Sequence, residues 1–476
     1  MSGRARVIFS NTAVQIVGDI GAKALRLTAI ILMARHLGSR RFGEFAFAVA
    51  FSEIVAIIAD SRVDQIIIRR SASGSMPLTG LIGSAAWLKG LLAVAAVGVY
   101  GIVALVLNQP TPVTVNLGLG GITILCAAAI NVAKIVFQLK MRLGFLAAGR
   151  MANAAVFFGA VILALSMKAG SSAWFMLAYV SGYIIEGILT VAWATRLLPL
   201  RLRWDGPLQM RIWREALPLA VINGLTLLYY RIDSVFLQVM RGSAAVGLYD
   251  AAYRFLDVSM FIPVALMTTV YPFLVKAHLE DAGNRIKLYR DAFNMLLVFS
   301  VPAAIAINMC SGELIAAFFG PAFVEAQALL AVVFLAIIPL YTAFAAADLL
   351  VSMHRQRDLL MTAILTAFVN VGLCLFLIPR AGAMGAAFAT VATQMLVLCL
   401  YLWFVGKRTA ISLDGRGLAA AAMAAVPVAL AAFVPWPNRT LKLLAVGLAC
   451  LVGIAGGSVW LFKSRLGKSV VSGDTE

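Results

Sequence analysis

The sequence predicts an all-α polytopic membrane protein with about fourteen transmembrane helices: two pseudo-repeated six-helix bundles followed by two C-terminal helices. Three observations carry this. The 476 residues are 62% hydrophobic and only 13% charged, and the mean hydropathy is +0.95; a soluble domain carries roughly 25% charged residues. The apolar residues fall in continuous runs long enough to cross hydrocarbon as helices, not in the short alternating segments of a barrel. Basic residues collect in alternate connections, as they do on the cytoplasmic side of inner-membrane proteins.

At a length of about 20 apolar residues per crossing, the first half yields six spans. They are Phe9–Ala34, Glu44–Ile67, Gly80–Leu107, Val113–Phe137, Leu146–Met167 and Ala173–Thr195. The first carries Asp19, Lys23 and Arg26 and lacks a convincing cleavage site, so it is read as a retained helix rather than a leader. The second half yields Leu217–Met240, Leu248–Val275, Phe293–Cys310, Ala326–Leu350, Leu359–Ile378 and Ala383–Val405. Two further spans, Leu418–Val434 and Leu441–Leu461, close the chain; the former is short and bounded by prolines. The domain reading is a bundle at 1–195, a cytoplasmic linker at 196–216, a second bundle at 217–406, and two extra helices with a tail at 407–476. Pro199, Trp204, Gly206 and Pro207 mark the linker, and Lys276–Ala292 reads as an amphipathic surface helix. Pro263, Pro302 and Pro339 are expected to kink their spans.

With the N-terminus in the cytoplasm, roughly 25 basic residues fall on the inner side against roughly 8 outside. Both termini are then cytoplasmic. The net charge of +18 follows from this bias and not from nucleic-acid binding. Cys126, Cys310, Cys374, Cys399 and Cys450 lie in apolar runs without CxxC spacing, and the three histidines sit at segment ends. No metal site, catalytic group or cofactor is expected, and no GxxxxGK[ST] loop points to direct ATP use.

A weak repeat runs through the chain. LGSRRFGEFAFAVAF (Leu37–Phe51) aligns with RGSAAVGLYDAAYRF (Arg241–Phe255), placing Gly38 on Gly242, Gly43 on Gly247, Phe45 on Tyr249 and Phe51 on Phe255. The offset equals six spans, an even number, so the two halves share one orientation.

Charges inside spans cost at least ~2.5–3.5 kcal/mol at the bilayer centre and therefore face protein or water. Asp19, Lys23 and Arg26 share a helical face through spacings of four and three, as do Asp250, Arg254 and Asp257. Glu53, Lys89, Glu186, Arg231, Asp233 and Asp348 complete the set. Two readings stay open. In one, the charges pair internally: Asp19 with Lys23, Arg254 with Asp250 or Asp257. Lys134 is read as snorkelling at its helix end. In the other, Arg26, Arg231, Arg254, Lys23 and Lys89 line a hydrated cationic cavity between the halves. Asp19, Glu53, Asp233 and Asp257 then serve ion coupling or pairing. Arg26 and Arg231 have no carboxylate four residues away, and a guanidinium suits a phosphate or pyrophosphate.

ARHLGSRRFGEFAFAVAF (Ala34–Phe51) resembles the A-R-x-L-G-x-x-x-Y/F-G turn of polysaccharide flippases, in the multidrug/oligosaccharidyl-lipid/polysaccharide exporter superfamily. Tyr230–Phe255 resembles the start of that family's second half: R-x-D, then V/I-G-x-Y-x-x-A-x-R/K. The resemblance spans nearly the whole chain. It implies two six-helix bundles plus two helices, and flipping of an undecaprenyl-pyrophosphate-linked oligosaccharide across the bacterial inner membrane. The family's cationic cavity residues would map to Arg26, Arg231 and Arg254. The implied partners are that lipid-linked substrate, the bilayer and other polysaccharide assembly proteins. Ser39–Arg40 departs from the family's usual Pro–acid pair. Rival readings are a cation-coupled drug exporter, a lipid II flippase of the same fold, and a membrane glycosyltransferase or polymerase. The short outer loops with few acids disfavour the last.

Overall fold

A backbone in hydrocarbon must satisfy its own hydrogen bonds, and helices do so segment by segment. The computed structural model follows that rule throughout the residues it describes, 3–72, 77–199, 203–280, 282–409 and 415–471. These form α1 (Gly3–Asp60), α2 (Val63–Ala72), α3 (Leu78–Val106), α4 (Thr111–Leu139), α5 (Gly144–Ser166), α6 (Ser172–Leu197), α7 (Gly206–Arg241) and α8 (Ser243–Ser259). Then follow α9 (Phe261–Glu280), α10 (Ala282–Met309), α11 (Ser311–Phe318), α12 (Ala326–Val333), α13 (Ile337–Ser352), α14 (Gln356–Arg408), α15 (Gly415–Phe433) and α16 (Arg439–Val471). No strand occurs among the described residues.

Among the described residues, eleven helical stretches are long and apolar enough to cross a membrane. Two of them, Gly18–Ser71 and Gln356–Lys407, have the length of two crossings and are broken inside, at Gly38 (φ 71°) and Gly382 (φ 58°). The count is therefore about thirteen. α7, the remaining expected span, is not among the eleven because Arg231 and Asp233 interrupt its apolar run. Leu105, Val106, Phe368 and Phe433 are each more than 70% exposed, which suits lipid and not water.

Two local expectations change. The linker expected over 196–216 is shorter: α6 runs to Leu197 and α7 starts at Gly206, with 200–202 outside the described residues. Asp205 caps α7 by accepting from Leu208 N at 3.1 Å, and Pro207 occupies its first turn. Leu208, Ile212 and Ala216, four apart, bury in the core cluster with Ile82, Phe137 and Leu146. Among the described residues of 276–292 there is no separate surface helix: α9 continues to Glu280 and α10 begins at Ala282, with Asp281 outside the described residues. Pro263 and Pro339 each follow a break in their span, α8 giving way to α9 at Met260 and α12 to α13 through a 3-10 turn at 334–336; the Ser259 carbonyl that Pro263 cannot bond accepts from the Tyr341 hydroxyl.

The chain forms two compact units, Met1–Gly247 and Leu248–Glu476. In the first, α1 packs against α3, α4, α5 and α7, and α6 packs against α4 and α5. In the second, α10 is the central element, packed against α9, α13, α15 and α16. Cys310, Val428 and Val446 join α15 and α16 to the end of α10.

The repeat is visible in the backbone. Gly38 and Gly242 adopt nearly the same left-handed conformation, φ 71°, ψ 172° and φ 79°, ψ 177°. That region is strained for residues with a Cβ. Inside the first unit the two turns also meet. A Cβ on Gly43 would overlap the Ser243 carbonyl oxygen, and a Cβ on Gly247 would overlap the Ser39 carbonyl oxygen. Repeat-equivalent residues thus make reciprocal contacts.

Candidate functional site

Three helices of the first unit each place polar residues on one face by three- and four-residue spacing: Asp19, Lys23 and Arg26 on α1, Arg150 and Asn153 on α5, Tyr179, Tyr183 and Glu186 on α6. Small residues let these helices close up. A Cβ on Gly149 would come within 2.7 Å of Thr190 Cγ2, and one on Gly182 within 2.9 Å of the Asn153 carbonyl oxygen. The result is a cavity of about 390 Å³ whose charged lining is Asp19, Lys23, Arg26, Arg150 and Glu186, with Asn131 of α4 and Tyr183 beside them. Three cations face two carboxylates there.

Arg26 is held by neutral groups. Its Nη2 donates to Asn153 Oδ1 at 2.7 Å, and its Cζ lies 5.7 Å from the Tyr183 ring centre and 6.0 Å from that of Tyr179. Asn153 Nδ2 donates in turn to Glu186 Oε2 at 2.8 Å, and Tyr179 donates to Tyr183 at 3.3 Å. One amide therefore lies between Arg26 and the Glu186 carboxylate. Asp19 does not pair with Lys23 along its own helix. It accepts from Arg150 Nη1 at 2.7 Å through both oxygens, across to α5. A guanidinium offers planar donors to a carboxylate that an ammonium one turn away does not. Lys23 makes no ion pair or hydrogen bond among the described residues and is exposed to the cavity.

The other residues expected in a cationic site lie elsewhere. Lys89 is fully buried; its Nζ donates to the Asp60 carbonyl at 2.9 Å and lies 3.7 Å from the Asp60 carboxylate. It caps the end of α1, where Ser61 and Arg62 both take positive φ. Lys134, expected to snorkel, pairs with Asp64 at 3.1 Å. Arg231 pairs with Glu53 at 2.9 Å, a partner 178 positions distant along the chain and so invisible to helical spacing. Asp233 is buried beside it in sequence, its carboxylate accepting from Ser234 N at 2.8 Å. In the second unit Arg254 pairs within its helix with Asp250 at 2.8 Å, one of the two intrahelical partners expected; Asp257 is half-buried on the same helix. The cavity described here is thus formed wholly by α1, α4, α5 and α6, not by both halves.

Sequence reading did not assign Arg150, Asn153, Tyr179 or Tyr183 to a site, and it noted Glu186 only as an intramembrane charge. Arg150 lies on α5, near the start of the expected span Leu146–Met167. The available signal was the shared face of 179, 183 and 186, the same pattern that marked 19, 23 and 26.

Near the start of α7, Glu215 accepts from Arg69 at 2.6 Å and from Arg70. The Arg70 hydrogen bond, then that of Arg69, holds its carboxyl below the usual carboxylate range.

The sequence profile of the family described as "Polysaccharide biosynthesis protein" matches residues 8–278, more than half of the chain. A second, described as "Lipid II flippase MurJ", matches residues 145–452. The chain belongs to the polysaccharide flippase family. Among solved structures, "Lipid II flippase MurJ, inward closed conformation" is similar at a TM-score of 0.78 and 12% identity, covering 95% of this chain and 100% of that one. An inward-facing multidrug resistance MATE family transporter of the MOP superfamily is similar at 0.63 and 12%, covering 81% and 94%. The Vibrio cholerae MATE transporter VcmN, in its bent form, is similar at 0.52 and 12%, covering 85% and 96%. Among curated proteins none matches the chain by sequence. At such identities the structural likeness concerns the fold. Site chemistry in this member of the flippase family rests on its own residues.

Proposed function

We propose that this flippase carries an undecaprenyl-pyrophosphate-linked oligosaccharide from the inner to the outer leaflet of the bacterial inner membrane, for surface polysaccharide synthesis. The observation that carries the reading is the cation-rich cavity holding Arg26, Arg150 and Lys23. A lipid-linked diphosphate has a head that lipid rejects and a tail that lipid accepts. A cavity with planar donors takes the head group while the tail stays in the bilayer. At about 390 Å³ it fits a diphosphate and part of the first sugar, so the rest of the glycan stays outside it.

The internal partners prepare the site. Asn153 and the tyrosine faces orient the Arg26 fork without neutralising it, and an incoming phosphate displaces one amide contact rather than an ion pair. Arg150 is released when phosphate oxygens compete with Asp19. Lys23 supplies a flexible third charge. In this reading both termini are cytoplasmic, the two six-helix repeats 1–195 and 217–406 alternate access, and Arg231, Arg254 and Lys89 support the moving helices or a later stage of the path. Asp19, Glu53, Asp233 and Asp257 pair with these cations or couple ions.

The test is genetic. Deleting the gene should lower surface polymer and raise pyrophosphate-linked repeat units in the membrane. Wild type should restore export; an Arg26→Ala, Arg150→Ala double variant of equal abundance should not. Unchanged polymer and lipid intermediates would sink the reading. A second reading, a lipid II flippase, is favoured by the match over residues 145–452. It requires that lipid II, and not polysaccharide repeat units, accumulate when the protein is depleted.

A further inference from the structure

The second unit has a pocket of its own, where α10 ends, α12 and α16 begin and α11 lies between them. Its volume is about 570 Å³, within the range of small-molecule sites. Met309, Ala316, Pro321 and Val324 give it apolar lining, and Gly320, at φ 83°, turns the chain into the segment that carries the last two. Glu313, Gln327, Arg439 and Lys442 supply its polar groups.

These four are not equally engaged. Lys442 Nζ donates to Glu313 Oε1 at 2.5 Å and to the Met309 carbonyl at 3.3 Å, so it ties α16 to α10 and α11. Burial alone would raise the Glu313 carboxyl; the Lys442 hydrogen bond outweighs it and holds the group below the usual carboxylate range. Glu313 is therefore an acceptor only. Arg439 is three residues before Lys442, on the same face of α16, and adds attraction to Glu313 from a distance. It is exposed and makes no ion pair or hydrogen bond among the described residues. The Gln327 side chain likewise makes no hydrogen bond among them, and it lies against Gly312, where a Cβ would come within 3.0 Å of its Oε1.

The lining thus holds one matched ion pair, one guanidinium in excess and one amide with both donors and acceptor open. A phosphate has the wrong chemistry for it: nearly all its oxygens are acceptors, and its charge would stand against Glu313 as well as towards Arg439. A sugar hydroxyl both donates and accepts, so it can serve Glu313, Gln327 and Lys442 in turn. A single carboxylate on the ring matches the planar fork of Arg439 and balances the excess charge.

We propose that this pocket binds an acidic sugar of the uronic-acid class. The carboxylate lies on Arg439, the ring hydroxyls meet Glu313 and Gln327, and the apolar lining takes the C–H face of the ring. With both termini cytoplasmic, the pocket is at the outer ends of its helices. Its use in transport, holding a glycan on the side to which it is delivered, rests on the flippase reading; the binding itself does not.

The experiment uses the full chain in lipid nanodiscs with soluble probes, titrated by ligand-observed NMR: methyl glucuronide, methyl glucoside and inorganic phosphate. Wild type should bind the glucuronide at least about tenfold more tightly than the glucoside, because only the former gives Arg439 a carboxylate. Arg439→Ala should abolish that preference and leave glucoside affinity unchanged. Gln327→Leu should weaken both sugars. Val324→Trp, at an exposed position, keeps every polar group and fills the pocket, so both sugars should be lost without a change in melting temperature. Equal binding of the two sugars by wild type, no binding of either, displacement of the glucuronide by an equal concentration of phosphate, or wild-type binding by both Arg439→Ala and Val324→Trp would each overturn the proposal. No transport is measured, so failure here leaves the flippase reading to its own genetic test.

Discussion

Arg26 and Arg231 sit near matching places in the first helix of each half, and the structure treats them differently. Arg26 is held by the Asn153 amide and by two tyrosine rings. Arg231 is held by the carboxylate of Glu53 at 2.9 Å. A neutral clamp fixes the direction of a guanidinium and leaves its charge for a ligand. A carboxylate fixes it and cancels the charge. The comparison teaches that position in the repeat does not decide which arginine can meet an anion; the partner does.

Four experiments break or sharpen this contrast. The largest effect is expected from Arg26→Ala. Losing a charge-assisted contact to phosphate costs about 1.5–3 kcal/mol, or roughly ten- to 100-fold in affinity for a polyprenyl diphosphate. Arg26→Lys should recover only part of this, because an ammonium lacks the planar fork. Binding of a diphosphate to the purified protein measures both. If Arg26→Ala binds as wild type does, Arg26 is not a ligand contact.

Asn153→Asp comes next. It gives Arg26 the kind of partner that Arg231 already has, and diphosphate affinity should fall about tenfold with the fold intact. An unchanged affinity would mean that the neutral clamp is irrelevant. Glu53→Gln makes the opposite change at the other arginine. It leaves Arg231 charged without its carboxylate and should cost about 1–3 kcal/mol in stability, read as a lower melting temperature. It should also raise, not lower, any affinity for anions.

The smallest effect concerns Glu215, outside the spans. Its folded-state pKa is depressed by Arg70 and Arg69, so its contribution is present above the ordinary glutamate value and is lost as pH falls through the lower folded value. The group is half exposed, so the pair contributes about 0–1 kcal/mol at most. Glu215→Gln should flatten the acid limb of the melting curve below about pH 4.5 and leave neutral stability nearly unchanged. High salt should shrink the difference further. A variant as acid-sensitive as wild type would show that the pair does not report folding.

Much of the fold was legible because its signals are local. The turns at Gly38 and Gly242 were matched in the sequence, and both adopt the same left-handed backbone. Asp19, Lys23 and Arg26 were placed on one face, and all three line one cavity. Arg254 found its partner four residues away, within reach of sequence reasoning. Other assignments failed for one reason. Asp19 took Arg150 instead of Lys23, Lys134 took Asp64 instead of lipid head groups, and Lys89 went to the end of α1. Each of these partners comes from a different helix. Periodicity tells which face a residue is on, not which helix that face will meet.

By itself, the sequence determined the solvent, the helices and the family. Apolar length, helical period and short motifs are properties of contiguous residues, and a backbone in lipid has few alternatives to helix. Only the tertiary structure decided which charges neutralise one another, which arginine stays available, and that the Gly43 and Gly247 turns touch reciprocally. Those outcomes depend on helices packing side by side through small residues, and packing joins positions more than a hundred residues apart.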